Sequence, residues 1–145
     1  MKETDLVSWH AQEYLKRRPG AFYHKLPDTL GVGGKRPFDA FIIDGGVTYA
    51  IEFKLHKKHT AFSLAKIEPH QIENLQLAQA NGAVSTIYIG IRFLLDIDDQ
   101  ERLGFRVRRI SADLEYPVDY IAQLIASGQK SLKVLPLLRK ATRSE

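Results

Sequence analysis

The stretch YAIEFKLHKK, residues 49–58, decides how this chain is interpreted. Large apolar residues occupy every second position at its start, as expected of one buried face of a β-strand. The opposite face carries Glu52 and then Lys54, directly before a run of lysine and histidine. A carboxylate and an ammonium side by side at the end of an apolar strand need an explanation from the rest of the sequence.

Length and composition set the class of protein. The 145 residues are 44% hydrophobic and 26% charged, as is ordinary for a soluble globular protein, and we expect a single domain over residues 1–145. The absence of cysteine excludes disulfides and thiolate zinc sites and favours a reducing compartment. No stretch approaches the roughly 20 apolar residues of a membrane span, and the N-terminus has no signal-like segment. We therefore expect a cytoplasmic protein with no membrane partner and no small-molecule cofactor.

Basic residues gather around the central strands, although the formal net charge is only +4. Such a distribution favours a polyanionic partner more than the net charge does. A tail cluster of basic residues reads more simply as a solvated surface. The candidate DNA contacts near the strands are Lys35, Arg36, His56, Lys57, Lys58 and Lys66.

The pattern of the chain predicts an α/β fold with a mixed sheet flanked by helices. A Gly-Gly pair between two apolar runs indicates a β-hairpin, and a long β-branched run after the second helix indicates a central strand. The predicted helices are Thr4–Arg17, one from Pro69 to Asn81-Gly82, and 117–128; the predicted strands are 21–26, Phe38–Asp44, Val47–Lys54, 83–93 and 104–110, with a loop over Leu55–Ile67. Residues 131–138 are predicted to form a last short strand or an extended segment.

The hairpin predicts which residues face each other. If Gly45 and Gly46 form the two-residue turn, counting outward along both strands brings Asp39 opposite Glu52. Directly opposed side chains have Cβ atoms about 5 Å apart, and Lys54 follows on the same face. Opposed like charges destabilise a sheet, so a compensating cation is expected.

Mg²⁺ is the cation that this pair of carboxylates suits best, with Mn²⁺ able to substitute. Mg²⁺ is usually held by one or two carboxylates together with water and phosphate oxygens. Lys54 beside it would steady an attacking water or the charge on a phosphate. The alternative is that Lys54 only neutralises Glu52, but the independently predicted turn favours a catalytic site over an ion pair.

Glu3 and Gln71 are two further candidates. Glu3 precedes the apolar stripe of the first helix by one turn and would reach the site, or it would only interact with the helix dipole. Gln71 lies on the core-facing side of the second helix, where its amide needs a partner such as a metal-bound water. The alternative for Gln71 is an exposed helix-terminal side chain.

The run from His56 to His59 allows two interpretations. Two histidines at this spacing suggest zinc, but no third ligand is evident in the sequence. A basic loop that contacts the phosphate backbone is the better interpretation.

These residues resemble a known group of nucleases. Asp39 followed by Glu52-Phe53-Lys54 after a hairpin resembles the PD-(D/E)xK (restriction-endonuclease-like) core, with PFD in place of Pro-Asp. The segment FSLAKIEPHQIENLQLAQANGAVSTIYIGIRF, residues 62–93, resembles the helix and strand that follow the active site in RecU-type Holliday junction resolvases. GQKSLK, residues 128–133, resembles a C-terminal stretch of the same family.

The resemblance implies a Mg²⁺-dependent, homodimeric endonuclease that cuts four-way DNA junctions. Asp39 and Glu52 would be metal ligands, Lys54 the catalytic lysine, Gln71 a residue that places the water, and Glu3 the acid of the first helix. One departure is the short glycine-rich loop PDTLGVGGKRP, where RecU-type enzymes carry a long projecting segment.

Two other functions stay open. The order of motifs also resembles the virus-type replication-repair nuclease domain, whose members cut flaps and other repair intermediates. A protein of another class, a DNA-binding module with an inactive nuclease fold, is disfavoured by the intact Asp39, Glu52 and Lys54.

Overall fold

The computed structural model describes residues 1–27, 36–58, 60–94 and 109–133, together with residues 98, 101 and 104. Helices and strands are interspersed along the chain. They are α1 (Glu3–Arg17), β1 (Phe22–Lys25), β2 (Ala40–Asp44), β3 (Val47–His56), β4 (Phe62–Ser63), a 3₁₀ turn (Leu64–Lys66), α2 (Pro69–Ala80), β5 (Val84–Leu94), β6 (Arg109–Pro117), α3 (Val118–Ala126) and β7 (Ser131–Leu132).

Five strands form one mixed sheet in the order β1-β2-β3-β5-β6. β3 and β5 are parallel, and the other neighbouring pairs are antiparallel. α2 lies in the crossover between the two parallel strands, as parallel pairing requires. β4 and β7 form a separate two-stranded sheet. The predicted mixed sheet flanked by helices is confirmed.

The hairpin between β2 and β3 turns on two glycines. Gly45 and Gly46 have φ values of 58° and 81°, which side-chain-bearing residues rarely adopt. Two positive φ angles in succession are typical of the tight hairpin turn predicted for this dipeptide. The turn therefore sets the pairing of β2 with β3.

α1 covers one face of the sheet. Leu6 and Val7 of α1 pack on Ile42, Ile51 and other residues that alternate along the strands. The approach is close, because a Cβ atom on Gly90 of β5 would lie 2.8 Å from both δ-carbons of Leu6. Glycine at this position lets the helix lie directly on the central strands.

α2 and α3 cover the other face, over β5 and its neighbours. Leu75 of α2 and Ile121 of α3 are fully buried against the isoleucines of β5. Alternation along β5 places Ile87, Ile89 and Ile91 on this face and Tyr88 on the α1 face. A strand that is apolar on both faces is the pattern from which a central strand was predicted.

Two elements differ from the prediction. β3 continues two residues beyond Lys54, and the predicted loop 55–67 contains β4 and the 3₁₀ turn, because His56 and Phe62 are buried rather than solvated. β6 extends to Pro117, whereas a strand over 104–110 was predicted, and residues 105–108 lie outside the described part. Ala112, Leu114 and Tyr116 alternate against the core and mark this strand.

The C-terminal segment is described only in part. β7 lies at the start of segment 131–138, for which a strand or an extended segment was predicted, and residues 134–145 lie outside the described part. In the described part of the chain, no helix is long and apolar enough to cross a membrane.

Candidate active site

The pairing of β2 with β3 confirms the predicted register. Asp44 pairs with Val47 at the turn, and the ladder runs to Ala40 and Ile51. Asp39 follows immediately, and its N–H donates to the carbonyl of Ile51 at 3.1 Å. Asp39 therefore lies at the end of the ladder, beside the next residue of β3, Glu52.

Both oxygens of the Asp39 carboxylate have partners. Oδ2 accepts a 2.8 Å hydrogen bond from the N–H of Phe53. Oδ1 lies 2.7 Å from Nη2 of Arg36, which also donates from Nη1 to the carbonyl of Leu26 at 3.3 Å. The carboxylate, only 6% exposed, is therefore held in one orientation by a backbone donor and a guanidinium.

Glu52 is the buried partner of this pair. It is 2% exposed, and its Oε2 has no hydrogen-bond partner in the described structure. Burial raises the pKa of Glu52 far above its ordinary value, and the hydrogen bond with Asp39 and the charge of Asp39 add to the rise. Lys54 lowers the same pKa. Without a cation beside it, burial and the neighbouring Asp39 therefore favour the protonated form of the Glu52 carboxyl.

The donor chemistry fits a divalent cation. A buried carboxyl with an unpartnered oxygen is costly unless a proton or a cation satisfies it. Two adjoining carboxylates are the protein ligands with which Mg²⁺ is commonly held. Among the described residues no group of three histidine, aspartate or glutamate side chains could hold a metal, so water and phosphate oxygens would complete the shell.

Lys54 lies on the face and at the end of the sheet where it was predicted. It is half-buried on β3, pairs with Ile89 of β5, and follows Glu52 by two residues. Its charge lowers the pKa of Glu52, so the ammonium lies within electrostatic reach of the carboxyl. An ammonium in this position can stabilise negative charge beside the carboxylates.

Glu3 approaches the site from the other face of the sheet. It begins α1, and its Oε2 accepts a hydrogen bond of 3.3 Å from the N–H of Leu55 near the end of β3. Its negative charge adds slightly to the raised pKa of Glu52. Glu3 is exposed. It stays a candidate site residue because its charge acts on Glu52, and not as a third ligand to the same cation.

Gln71 uses its side-chain oxygen to cap α2. Its Oε1 accepts a hydrogen bond of 2.9 Å from the N–H of Glu68, as part of a capping box at the start of the helix. β3 and β5 are parallel, so α2 begins near the end of β3 that carries Lys54. Gln71 is half-buried, and its amide nitrogen takes no part in this cap.

His56 requires a correction. It is 1% exposed, its Nε2–H donates a 2.6 Å hydrogen bond to the carbonyl of Thr60, and its ring packs edge-on against Phe62. Burial lowers its pKa, so the ring is neutral at pH 7. A neutral, buried ring has no surface to offer a phosphate, and the predicted DNA contact is wrong for this residue.

The remaining basic candidates lie in different surroundings. Lys57 and Lys58 are exposed just beyond β3. Lys66 is exposed too, with its ammonium 5.7 Å from the ring centroid of Phe62. Arg36 is committed to Asp39, and Lys35 lies outside the described residues. Lys57 and Lys58 are thus exposed cations directly after the strand that carries Glu52 and Lys54.

Two features of the site were not predicted from the sequence. Arg36 was treated as a DNA contact, whereas it neutralises Asp39 from three residues away outside any helix. The hydrogen bond from the N–H of Phe53 to Asp39 was not predicted either. It forms where the β2–β3 ladder ends, and no feature of the sequence marks that end. The sequence signal that could have suggested the ion pair is the segment RPFD, directly before β2, in which Arg36 stands three residues before Asp39.

Similarity to known proteins is found among solved structures. No protein-family model and no curated protein matches this chain. A solved structure of Hjc from Archaeoglobus fulgidus, described as a Holliday junction resolvase from an archaeal hyperthermophile, is similar with 15% sequence identity and a TM-score of 0.46. The alignment covers 92% of this chain and 98% of that one. The mixed five-stranded sheet flanked by helices is consistent with a restriction-endonuclease-like fold.

Proposed function

We propose that this protein is a Mg²⁺-dependent endonuclease that cuts branched DNA, with Mn²⁺ able to replace Mg²⁺. One observation carries the proposal: Asp39 and Glu52 adjoin at the end of a hairpin, and Glu52 is buried with an unpartnered oxygen. A divalent cation would let both carboxyls ionise together, which their proximity otherwise opposes.

Each residue of the site has a chemical role in this proposal. Asp39 and Glu52 would hold the cation, which when bound supplies an electrophile and a more acidic water. Lys54 stabilises charge on the phosphate oxygens, as an ammonium two residues from Glu52 is placed to do. Gln71, with Oε1 in the helix cap, orients water through its amide nitrogen. Glu3 adds negative charge at the far side of the sheet.

DNA is the proposed polyanion. The exposed Lys57 and Lys58 follow the strand that carries Glu52 and Lys54, so phosphates next to the scissile one would meet them. Their position at the site, rather than the modest net charge of +4, supports a nucleic-acid substrate.

Four-way junctions and a homodimer are the finer part of the proposal. The resemblance of residues 62–93 to RecU-type resolvases supports a junction as substrate. A junction needs two opposed nicks, which a symmetric dimer with one site in each protomer supplies. An apolar groove of about 790 Å³ between α2 and α3, lined by Ile67, Ile72, Ala122 and Ile125 among others, offers a surface for association.

The decisive experiment is digestion of linear, nicked, flap and four-way DNA of equal length with Mg²⁺, with products mapped on each strand. Paired symmetric nicks in the four-way substrate, absent for Asp39→Asn, are the expected result. Sedimentation with and without junction DNA measures the oligomeric state. A monomer that cuts linear duplex as readily as a junction would contradict the resolvase proposal.

Two alternatives have distinct outcomes in the same experiment. A replication-repair nuclease would cut the flap substrate preferentially and leave the four-way junction largely intact. An inactive DNA-binding module would retain each DNA without cutting any, with or without Mg²⁺. The pairing of two buried carboxyls with Lys54 favours an active enzyme over the second alternative.

A further inference from the structure

An aromatic strip of Phe22, His24 and Phe41 lies exposed on the sheet. Phe22 is 55% exposed, His24 is exposed and Phe41 is half-buried. The rings contact one another: Phe22 and His24 are nearly parallel at 6.2 Å between centroids, and His24 and Phe41 are 5.1 Å apart. Exposed aromatic rings in contact, two of them on the edge strand β1, are not explained by the core.

The aromatic strip lies on the same face as the carboxylates. β2 alternates, so Ala40 and Ile42 pack under α1 while Asp39 and Phe41 point to the other face. His24 is directly across from Phe41 in the β1–β2 pairing. Phe41 follows Asp39 by two residues, a distance of about 7 Å along a strand. The aromatic strip therefore begins next to the proposed metal site.

We infer that the aromatic strip binds unpaired nucleobases of the substrate strand next to the scissile phosphate. The inference rests on the proposed function. Aromatic side chains stack on bases of any sequence, because every base has a π-face. The exposed Lys57 and Lys58 lie beyond the opposite end of β3. Along the sheet the order is thus basic residues for phosphates, carboxylates for the scissile phosphate, and rings for bases.

A second copy of this chain fits the aromatic strip less well. The strip with its exposed neighbour Ile43 (44%) leaves a small apolar patch. Its area is roughly 300 Å², taking whole aromatic side chains at roughly 150–250 Å² each, against about 800 Å² per partner in a stable interface. A patch of this size next to a charged site suits a few bases better than a protomer.

Paired affinity measurements test the inference. Fluorescence anisotropy with Ca²⁺ in place of Mg²⁺ compares a three-way junction that carries unpaired thymines with a linear duplex of equal length. Phe22→Leu keeps apolar bulk and loses the π-face, so we expect the junction affinity to fall roughly 5- to 100-fold. Affinity for the duplex stays within about twofold, since duplex binding depends on phosphate contacts.

Two control variants separate stacking from general damage. Phe22→Trp restores a π-face and keeps the junction affinity of the unchanged protein. Leu77→Ala removes a similarly exposed apolar side chain from α2 (62% exposed) and changes neither affinity. Because Phe22 is already over half exposed, its substitution leaves the fold intact, which thermal melting verifies.

Several outcomes overturn the inference. One is an unchanged junction affinity in Phe22→Leu, and another is an equal loss of affinity for both DNAs. A third is that Phe22→Leu loses the dimer in sedimentation but keeps its preference for unpaired DNA, which would assign this face to a second copy. If Phe22→Leu keeps the preference while the unchanged protein cuts branched DNA, only the inference fails. If the unchanged protein neither binds nor cuts DNA, the proposed function fails too.

Discussion

Arg36 and Asp39 form a close ion pair at the heart of the candidate site, with 2.7 Å between Nη2 and Oδ1. The Arg36 side chain is about one-third exposed and is also hydrogen-bonded to the carbonyl of Leu26. Oδ2 accepts the N–H of Phe53, so a cation bound at Oδ1 would lie beside the guanidinium. The protein thus supplies its own positive charge where a metal is proposed to bind.

Removing that guanidinium should tighten metal binding. We expect Arg36→Gln to raise the affinity for Mn²⁺ in the absence of DNA about two- to fivefold, since a partly exposed ion pair contributes about 0.5–1 kcal/mol. Isothermal titration with Mn²⁺ measures this. The matched control is Arg18→Gln, which breaks a similar pair with Asp44 at the hairpin, 2.8 Å between Nε and Oδ2. A weaker affinity in Arg36→Gln would show that Arg36 orients Asp39 for the metal instead of competing.

Replacing Glu52 by glutamine should separate folding from metal binding. Burial favours the protonated Glu52 carboxyl when no cation is bound, and Glu52→Gln preserves its shape, so we expect the metal-free stability to change by less than about 1 kcal/mol. Saturating Mn²⁺ at about 100 times its Kd should stabilise the unchanged protein by about 2.7 kcal/mol and the variant hardly at all. Thermal melting with and without Mn²⁺ measures both. An equal stabilisation of the two proteins would place the metal elsewhere.

Lys54 should affect the rate of cleavage more than DNA affinity. Lys54→Met should lower kcat about 100-fold or more while Kd in Ca²⁺ changes by less than about threefold, because charge stabilisation acts mainly in the transition state. Single-turnover cleavage and anisotropy measure the two quantities. Lys16→Met, at the exposed end of α1, is the control and should alter neither. Comparable losses of rate and affinity would make Lys54 a binding residue.

Lys57 and Lys58 should set the salt dependence of DNA binding. Replacing both by alanine should make the slope of log Kobs against log salt less negative by up to about 1.8, at about 0.9 per lost phosphate contact on duplex DNA. His56→Ala should leave the slope unchanged, since the ring is buried at 1% exposure and neutral. Anisotropy at four salt concentrations decides this, and an unaltered slope in the double variant would exclude the lysines from the interface.

His10 should make the fold sensitive to acid. Burial lowers its pKa from 6.5 to about 4, and its Nδ1 is hydrogen-bonded to the hydroxyl of Tyr23 at 2.9 Å. A depressed folded-state pKa means that the unfolded chain binds the proton first, so stability is full above pH 6.5 and falls toward pH 4. We expect a loss on the order of 2 kcal/mol over this window, and a smaller loss in His10→Phe. Urea unfolding at pH 7 and pH 4.5 measures it, and identical losses in both proteins would assign the acid sensitivity to other groups.

Local pattern determined much of the fold. The alternation in residues 47–54 and the Gly-Gly turn predicted the hairpin and its register, because strand periodicity and a two-residue turn leave one pairing. The start of α2 at Pro69 and the central strand β5 followed from equally local signals. For the same reason, Asp39 and Glu52 could be placed side by side before any tertiary contact was known.

Only the tertiary structure decided how those residues are used. The sequence by itself could not show that His56 is buried against Phe62 or that Arg36 neutralises Asp39. Nor could it show that the side-chain oxygen of Gln71 accepts a hydrogen bond in the cap of α2. Burial of a histidine or the partner of an arginine depends on which distant segments pack around it, and no local periodicity encodes that packing. The sequence determined which carboxylates meet, whereas their protonation and their neighbouring charges follow from desolvation and contacts that exist only in the folded chain.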